Sequence, residues 1–361
     1  MLKTPLNSWH HSHNGRMVDF AGWEMPVQYS SIVEEHNAVR NAVGLFDISH
    51  MGRLQFYGEY SEAFLNGVLT NDTSKLKVGD VRYSLVCGKD GGILDDVLVY
   101  RLPDRWELVV NGANRDKIVD WLKHSAGFAA IQFSDVTLST GMIAVQGPQA
   151  LALLTEVTKL ELASMKYYSV KEAEFLGTRG IVSRTGYTGE DGFELVVPSN
   201  MTEQIWKTLM DAGAAYGIRA AGLGCRDTLR LEAAMPLYGH ELSEATDPLT
   251  AGLEFGVRFN KPEYPGKAAL ESIRADGLKM ARVGLVLEGR RIAREESPIE
   301  IAGSVVGKVT SGTFSPTLQK VIAMAYVPVS SAAVGTKVDV NLRGTLVPAE
   351  VVALPFYKRK P

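Results

Sequence analysis

The stretch KDGGILDDVLVY, residues 89–100, sets two adjacent carboxylates, Asp95 and Asp96, into a run otherwise built from Ile, Leu, Val and Tyr. Burying an ionised carboxylate without partners costs several kcal/mol, so such a pair is either compensated by neighbours or does chemistry. Gly91 and Gly92 mark a turn, and the spacing predicts a strand over Ile93–Arg101 with side chains alternating between faces. Asp96 then shares a face with Leu94, Leu98 and Tyr100, while Asp95 goes with Ile93, Val97 and Val99. The two acids cannot act as one dyad. The run at 82–87 pairs across the turn and brings Tyr83 to within a residue or two of facing Asp96. A carboxylate flanked by tyrosines and aliphatics suits a pocket floor. The plainer alternative is an aspartate that caps a helix or pairs with an arginine.

A second carboxylate has a similar setting. In SRTGYTGEDGFELVV, residues 183–197, Glu194 lies between Phe193 and Leu195, and Gly186, Gly189 and Gly192 permit tight turning. The loop lacks the Lys-Ser/Thr ending of a P-loop and does not run from strand into helix. A hairpin offering Tyr187 and Glu194 to a planar, nitrogen-rich ligand fits as well, because a carboxylate accepts two parallel N–H bonds from an amino-pyrimidine edge. In CRDTLRLEAAMPLYGHEL, Arg226, Asp227 and Arg230 open a helix, with Leu223, Leu229 and Ala233 toward its buried side. Charges at that spacing also suit a solvent-facing ion-pair lattice, the favoured reading of the motif alone. DISHMG supplies Asp47, Ser49 and His50, but no nucleophile-elbow sequence accompanies them. His10, His11 and His13 have no carboxylate or thiol beside them and are expected in a solvated terminus rather than at a metal.

These residues need elements to hold them. Ser31 with Glu34 three residues on reads as a capped helix start, Ile32, Val39 and Val43 as its apolar face, and Gly44 as its stop. Farther along, strands at 82–87, 93–102 and 105–112 interleave with helices at 61–69 and 113–127, the pattern of an α+β or α/β unit. GMIAVQGPQALALL turns from strand to helix at Gly147-Pro148, and residues 203–217 form an amphipathic helix. Residues 280–357, rich in Val, Gly and Ser/Thr with short strand candidates, read as a small all-β domain. The 361 residues, 45% hydrophobic and 22% charged, suffice for two or three globular domains. A net charge of −3 argues against a dedicated nucleic-acid binder. The two cysteines, Cys87 and Cys225, spell neither a disulfide framework nor a zinc motif, and no run reaches the roughly 20 apolar residues of a membrane span. The expectation is a cytoplasmic protein without a metal, working on small-molecule or protein partners, with no nucleic acid and no membrane.

The stretches MVDFAGWEMPVQYSSIVEEHNAVR, GLFDISHMG, DGGILDDVLVY, AVQGP, SRTGYTGEDGFE, CRDTLRLEAAMPLYGHEL, VTSGTFSPTL and VPAEVVALPFYKR, in that order, closely resemble the aminomethyltransferase (T-protein) family of the glycine cleavage system. The resemblance covers nearly the whole chain. It implies an α+β, three-domain, cloverleaf-like aminomethyltransferase fold with a C-terminal β-barrel and a central folate channel. Residues 1–52 with 137–270 would form a discontinuous first domain, 53–136 an α+β insertion and 271–361 the barrel. It also implies that a one-carbon unit passes from an aminomethyl group on the dihydrolipoyl arm of lipoylated H-protein to tetrahydrofolate, the acceptor substrate. Ammonia and 5,10-methylenetetrahydrofolate are the accompanying products. Matched position by position, Asp96 is the catalytic carboxylate near folate N5 and N10, stabilising positive charge on the transferred carbon. Glu194 takes the pterin edge, and Arg226 lies near the folate. Tyr83, Tyr100, Tyr168 and Tyr187 line the folate, Asn111 is a polar contact, and Lys358 or Arg359 a basic one. The chain departs from the family pattern at Cys225 and Ala293, where Ala and Pro are expected. Two rival readings are a folate-dependent demethylase of a small methyl donor and a non-catalytic folate-binding regulator. The KGCYxGQE motif typical of such regulators is missing.

Overall fold

Mixed helices and sheets give the chain an α+β architecture in the computed structural model, which describes residues 1–359. Two compact units are present, Met1–Ser84 with Asp96–Arg226, and Leu85–Asp95 with the chain from Asp227 onward. In the first, six strands run in the spatial order Val170–Phe175, Thr178–Ser183, Gly192–Pro198, Thr140–Gln146, Val43–Asp47 and Ile218–Ala220. Helices Ala150–Thr158 and Ser199–Gly213 pack on this sheet, and Trp206, Leu209, Leu154, Val145, Leu195 and Val197 share its buried core. The short strands Leu2–Lys3, Trp23–Gln28 and Arg16–Phe20 make a separate three-stranded sheet.

A five-stranded sheet carries the acidic pair, in the order Val81–Cys87, Ile93–Arg101, Trp106–Val110, Gly52–Tyr57 and Gln132–Asp135. Its second strand alternates as the sequence demands: Ile93, Asp95, Val97 and Val99 are buried, and Leu94, Asp96 and Leu98 are half-buried. Leu98 pairs with Val109 in antiparallel register. Two residues farther along, that register brings Asn111 opposite Asp96.

In the second unit six strands close into a barrel, ordered Met280–Leu287, Lys320–Pro328, Ser304–Ser315, Pro298–Ile301, Lys337–Leu342 and Thr345–Val352, the last pairing with the first. Val283, Leu285, Val309, Val321, Val340 and Val351 fill its interior, which explains the valine-rich composition of this segment.

Three expectations change. Ser31 does cap a helix, accepting from the Glu34 N–H at 3.2 Å, but the helix Ile32–Asn41 stops before Gly44, which belongs to the next strand. Glycine is needed there for packing: a Cβ on Gly44 would lie 2.2 Å from Val39 Cγ2. The histidine-rich leader is not wholly solvated. It folds as the helix Asn7–Ser12, and His10 is fully buried, its Nε2 2.8 Å from Asp47 Oδ2 and its Nδ1 2.8 Å from the Tyr29 hydroxyl. The carboxylate that compensates it comes from 37 residues away, beyond the reach of a local reading. Arg230 is likewise buried rather than part of a solvent-facing lattice. On the helix Leu223–Glu232, it donates to Asp227, Glu241 and the Ser311 hydroxyl at 2.7–2.8 Å, and Ala233 falls past the helix end.

The paired glycines before the acidic strand have separate reasons. Gly91 adopts φ +87°, and a Cβ on Gly92 would lie 1.8 Å from the Glu244 carbonyl oxygen. Gly92→Ala should therefore force the backbone apart and cost on the order of 3 kcal/mol. Gly289→Ala also imposes a positive φ, here +75°, but meets nothing within 4 Å. It should cost only about 1 kcal/mol. Thermal unfolding midpoints compare the two, and equal losses would contradict the close-approach explanation.

Candidate active site

Asp96 sits half-buried in its strand with two neutral donors on its carboxylate. Tyr83 Oη donates to Oδ2 at 3.1 Å and Asn111 Nδ2 donates to Oδ1 at 2.8 Å. Among the described residues neither an arginine nor a helix terminus holds it, so the plainer alternative for an acid in this strand does not apply to Asp96. Burial raises its carboxyl above the ordinary value of 3.8, with the bonds from Asn111 and Tyr83 pulling the other way. The same burial, together with the Asp96 charge, pushes the Tyr83 hydroxyl well above 10.0, so it stays a hydrogen-bond donor.

Glu194 is buried in the strand Gly192–Pro198, opposite Ser183 of the neighbouring strand. Thr185 Oγ1 donates to its Oε2, and Ser183 Oγ lies 2.8 Å from Thr185 Oγ1 and 3.3 Å from Tyr100 Oη. A chain of hydroxyls can thus donate in one direction, Tyr100 to Ser183 to Thr185 to the carboxylate. Among the described residues the other oxygen, Oε1, has no donor. Burial raises the Glu194 carboxyl, opposed by the Thr185 bond and the Arg226 charge.

The loop between these strands is held from below. Gln146 donates to the Thr185 carbonyl at 3.1 Å and accepts from the Thr188 hydroxyl at 2.9 Å. It packs so closely that a Cβ on Gly186 would lie 2.0 Å from its Oε1, and one on Gly192 2.5 Å from its Nε2. Buried Arg40 donates to the Thr188 carbonyl at 2.7 Å and to Glu190 at 2.9 Å. These contacts explain the glycines without a phosphate and fix Tyr187, over whose ring the Arg226 guanidinium lies at 4.7 Å.

Tyr168 completes the cluster in an unusual backbone state, φ +62°. Its N–H bonds the Arg184 carbonyl and its carbonyl accepts from Val81 N–H, both at 2.9 Å, so the strain of about 1 kcal/mol is held by its neighbours. The ring is partly exposed, edge-on to Tyr167 at 4.8 Å. Burial, then the Glu194 and Asp96 charges, raise its hydroxyl pKa, while Tyr168 and Tyr187 both act on that of Tyr83. Asp96, Tyr83, Asn111, Tyr168, Tyr187, Glu194 and Arg226 therefore belong to one electrostatic neighbourhood within the first unit, with Tyr100 reaching it through its hydroxyl chain. Lys358 is an exposed residue of the second unit.

Sequence reasoning overlooked Ser183, Thr185, Gln146 and Arg53. The first two carried a signal in their hydroxyls two residues apart, but only Ser183 lies on the strand Thr178–Ser183, and Thr185 sits in the loop just past its end. Arg53 had none: it is fully buried and donates to the Ser49, Met51, Thr137 and Thr140 carbonyls and to Thr140 Oγ1, fixing the turn that presents His50. Among the described residues no three His, Cys, Asp or Glu side chains converge as metal ligands.

The raised Asp96 carboxyl makes a stability prediction. A carboxyl that is harder to ionise when folded contributes stability in its protonated form, and that contribution is lost as pH rises through the native pKa, above 3.8. Asp96→Asn keeps an acceptor for Asn111 and removes the charge. Its unfolding free energy relative to wild type should rise between pH 4 and pH 8. A relative loss over that range would reverse the assigned sign.

Comparison with known proteins identifies the family of the whole chain. The GCVT N-terminal domain family matches residues 6–261 and the glycine cleavage T-protein C-terminal barrel domain family matches residues 281–358. Proteins named aminomethyltransferase from Moorella thermoacetica and Streptomyces avermitilis are each 46% identical, over 99% of this chain and 98% of theirs. One from Desulfitobacterium hafniense strain Y51 is 43% identical over 100% of this chain and 99% of its own. The crystal structure of glycine cleavage system aminomethyltransferase T from Bartonella henselae superposes with a TM-score of 0.93 at 33% identity, covering 99% of both chains. The chain belongs to the glycine cleavage T-protein family of aminomethyltransferases, transferases whose function is folate-dependent aminomethyl transfer.

Proposed function

We propose that this chain takes the aminomethyl group from the dihydrolipoyl arm of lipoylated H-protein, passes its carbon to tetrahydrofolate and releases ammonia. The balance is closed: the protonated S-aminomethyl donor and tetrahydrofolate give 5,10-methylenetetrahydrofolate, ammonium and the free dihydrolipoyl thiol. Two folate N–H hydrogens end on sulfur and on ammonia. The observation that carries the reading is a desolvated Asp96 carboxylate whose side-chain donors among the described residues are the neutral Tyr83 and Asn111. With no cation bonded to it among the described residues, its negative charge is available to positive charge developing on the transferred carbon, and a site of low dielectric strengthens that attraction. Charge stabilisation and positioning, rather than proton abstraction, are its work.

Glu194 would accept from the amino-pyrimidine edge of the pterin, a role supported by its open Oε1 and by the hydroxyl chain that anchors Oε2. Tyr187 beneath Arg226, with Tyr83 and Tyr168, would line the ring system. Tyr100 would act through Ser183, and Asn111 through Asp96. Lys358 or Arg359 would supply a basic contact, a role resting on the resemblance alone. We also infer three domains, 1–52 with 137–270, 53–136 and 271–361, a division supported by the six-stranded sheet, the five-stranded sheet and the barrel. A cytoplasmic location is supported by the two cysteines, Cys87 and Cys225, both buried and neither in a disulfide. No helix among the described residues is long and apolar enough to cross a membrane.

Ammonia release and methylenetetrahydrofolate formation, measured with purified protein, tetrahydrofolate and aminomethylated H-protein, test the proposal. Activity should need all three components, and Asp96→Asn should lower kcat on the order of 100-fold while leaving tetrahydrofolate affinity within a few-fold. Turnover without H-protein, or wild-type kcat in Asp96→Asn, would overturn the reading.

A further inference from the structure

Among the described residues, His50 is the one beside this site with a buried polar atom that has no hydrogen-bond partner. The ring is buried, and among the described residues its Nδ1 has no hydrogen-bond partner. Leaving a buried polar atom unmade is costly, so such an atom in a functional neighbourhood points to a missing partner. One packing contact, with Gly112, and one electrostatic interaction, with Arg226, tie it to that neighbourhood. Arg226, which lies over Tyr187 and acts on Glu194, is also a strong electrostatic neighbour of His50. Gly112, next in sequence to the Asn111 that bonds Asp96, backs the ring: a Cβ there would lie 3.2 Å from His50 Cδ2 and 2.5 Å from the His50 carbonyl oxygen. Because Cδ2 rests against Gly112, Nδ1 faces the other way. Phe20 meets the ring edge-on at 5.4 Å.

The surroundings also select the charge type of the missing partner. Burial first, then the Arg226 cation, push the His50 ring down to about 3, with Asp47 opposing and Arg53 adding to the fall. At working pH the imidazole is neutral, with one nitrogen a donor and the other an acceptor according to tautomer. Two arginines against one aspartate disfavour a cation at Nδ1, which argues against the ammonium end of an aminomethyl donor. A neutral heterocycle carrying both carbonyl and N–H groups suits it.

We propose that His50, through Nδ1, is a further binding residue of this site and hydrogen-bonds the pterin ring of tetrahydrofolate beside Arg226. This rests on the folate reading above and adds a contact that completes the polar edge begun by Glu194. Its role is binding rather than chemistry, so its loss should appear in affinity and not in turnover.

Asparagine and glutamine variants separate the two ring nitrogens, since an Asn amide falls near Nδ1 and a Gln amide near Nε2. Calorimetry of tetrahydrofolate binding to the full chain, with steady-state kinetics on aminomethylated H-protein and an unfolding midpoint for each variant, gives the test. His50→Leu and His50→Gln should weaken tetrahydrofolate about tenfold, whereas His50→Asn stays within threefold of wild type. Saturating kcat should hold within threefold in all three. Unchanged affinity in His50→Leu would overturn the inference and leave the folate reading intact. So would rescue by Gln but not Asn, a loss in kcat alone, or equal loss in Leu and Asn variants that follows a lowered unfolding midpoint. No tetrahydrofolate binding by wild type would overturn both.

Discussion

The site is organised around one constraint, the need to keep a carboxylate inside apolar strand surroundings without neutralising it. Asp96 meets this with a phenol and an amide rather than a guanidinium. Each requirement of that arrangement falls on a different part of the chain. Strand alternation turns Asp96 away from the fully buried face, antiparallel register delivers Asn111, and the preceding strand delivers Tyr83. Two glycines bring the chain around just before it, one for its φ and one for a backbone that passes too close for a Cβ.

Other acids in the protein are treated differently. Glu190 is paired with Arg40, Glu241 with Arg230, Asp135 with Arg115 and Asp191 with Arg184. Pairing and hydrogen bonds outweigh burial at Glu241 and Asp135, whose carboxyls are held below their ordinary values. Burial wins at Asp96 and Glu194, which have hydroxyl or amide donors instead. Glu35 and Glu107 are also raised, the first tied to three backbone N–H groups and the second to Gln55, so a raised carboxyl alone does not mark a working site. What separates Asp96 and Glu194 is their shared surroundings of Tyr83, Tyr168, Tyr187 and Arg226.

Much of this was legible in the sequence because the signals were local. Period-two alternation gave the acidic strand and the opposed aspartates, the Ser31 and Glu34 spacing gave a helix start, and valine-rich text gave the barrel. The order of the motifs carried the family. Long-range partnerships left no local trace. His10 reads as a solvated terminus until Asp47 and Tyr29 close over it, and Arg230 reads as a surface charge until Glu241 and Ser311 meet it. Gly44 reads as a helix stop although its real task is to let Val39 approach. Gly186 and Gly192 similarly answer to Gln146, some forty residues away in sequence, and no loop motif records that.

The site turns on the charge state of Asp96, and carbon-13 NMR titration of its side-chain carboxyl in the ligand-free protein, assigned with Asp96→Asn, reads that state directly. A midpoint above the ordinary 3.8 is predicted, because desolvation exceeds the help given by Tyr83 and Asn111. A midpoint at or below 3.8 would mean that the carboxylate is already compensated, and would contradict a site built to hold an uncompensated charge.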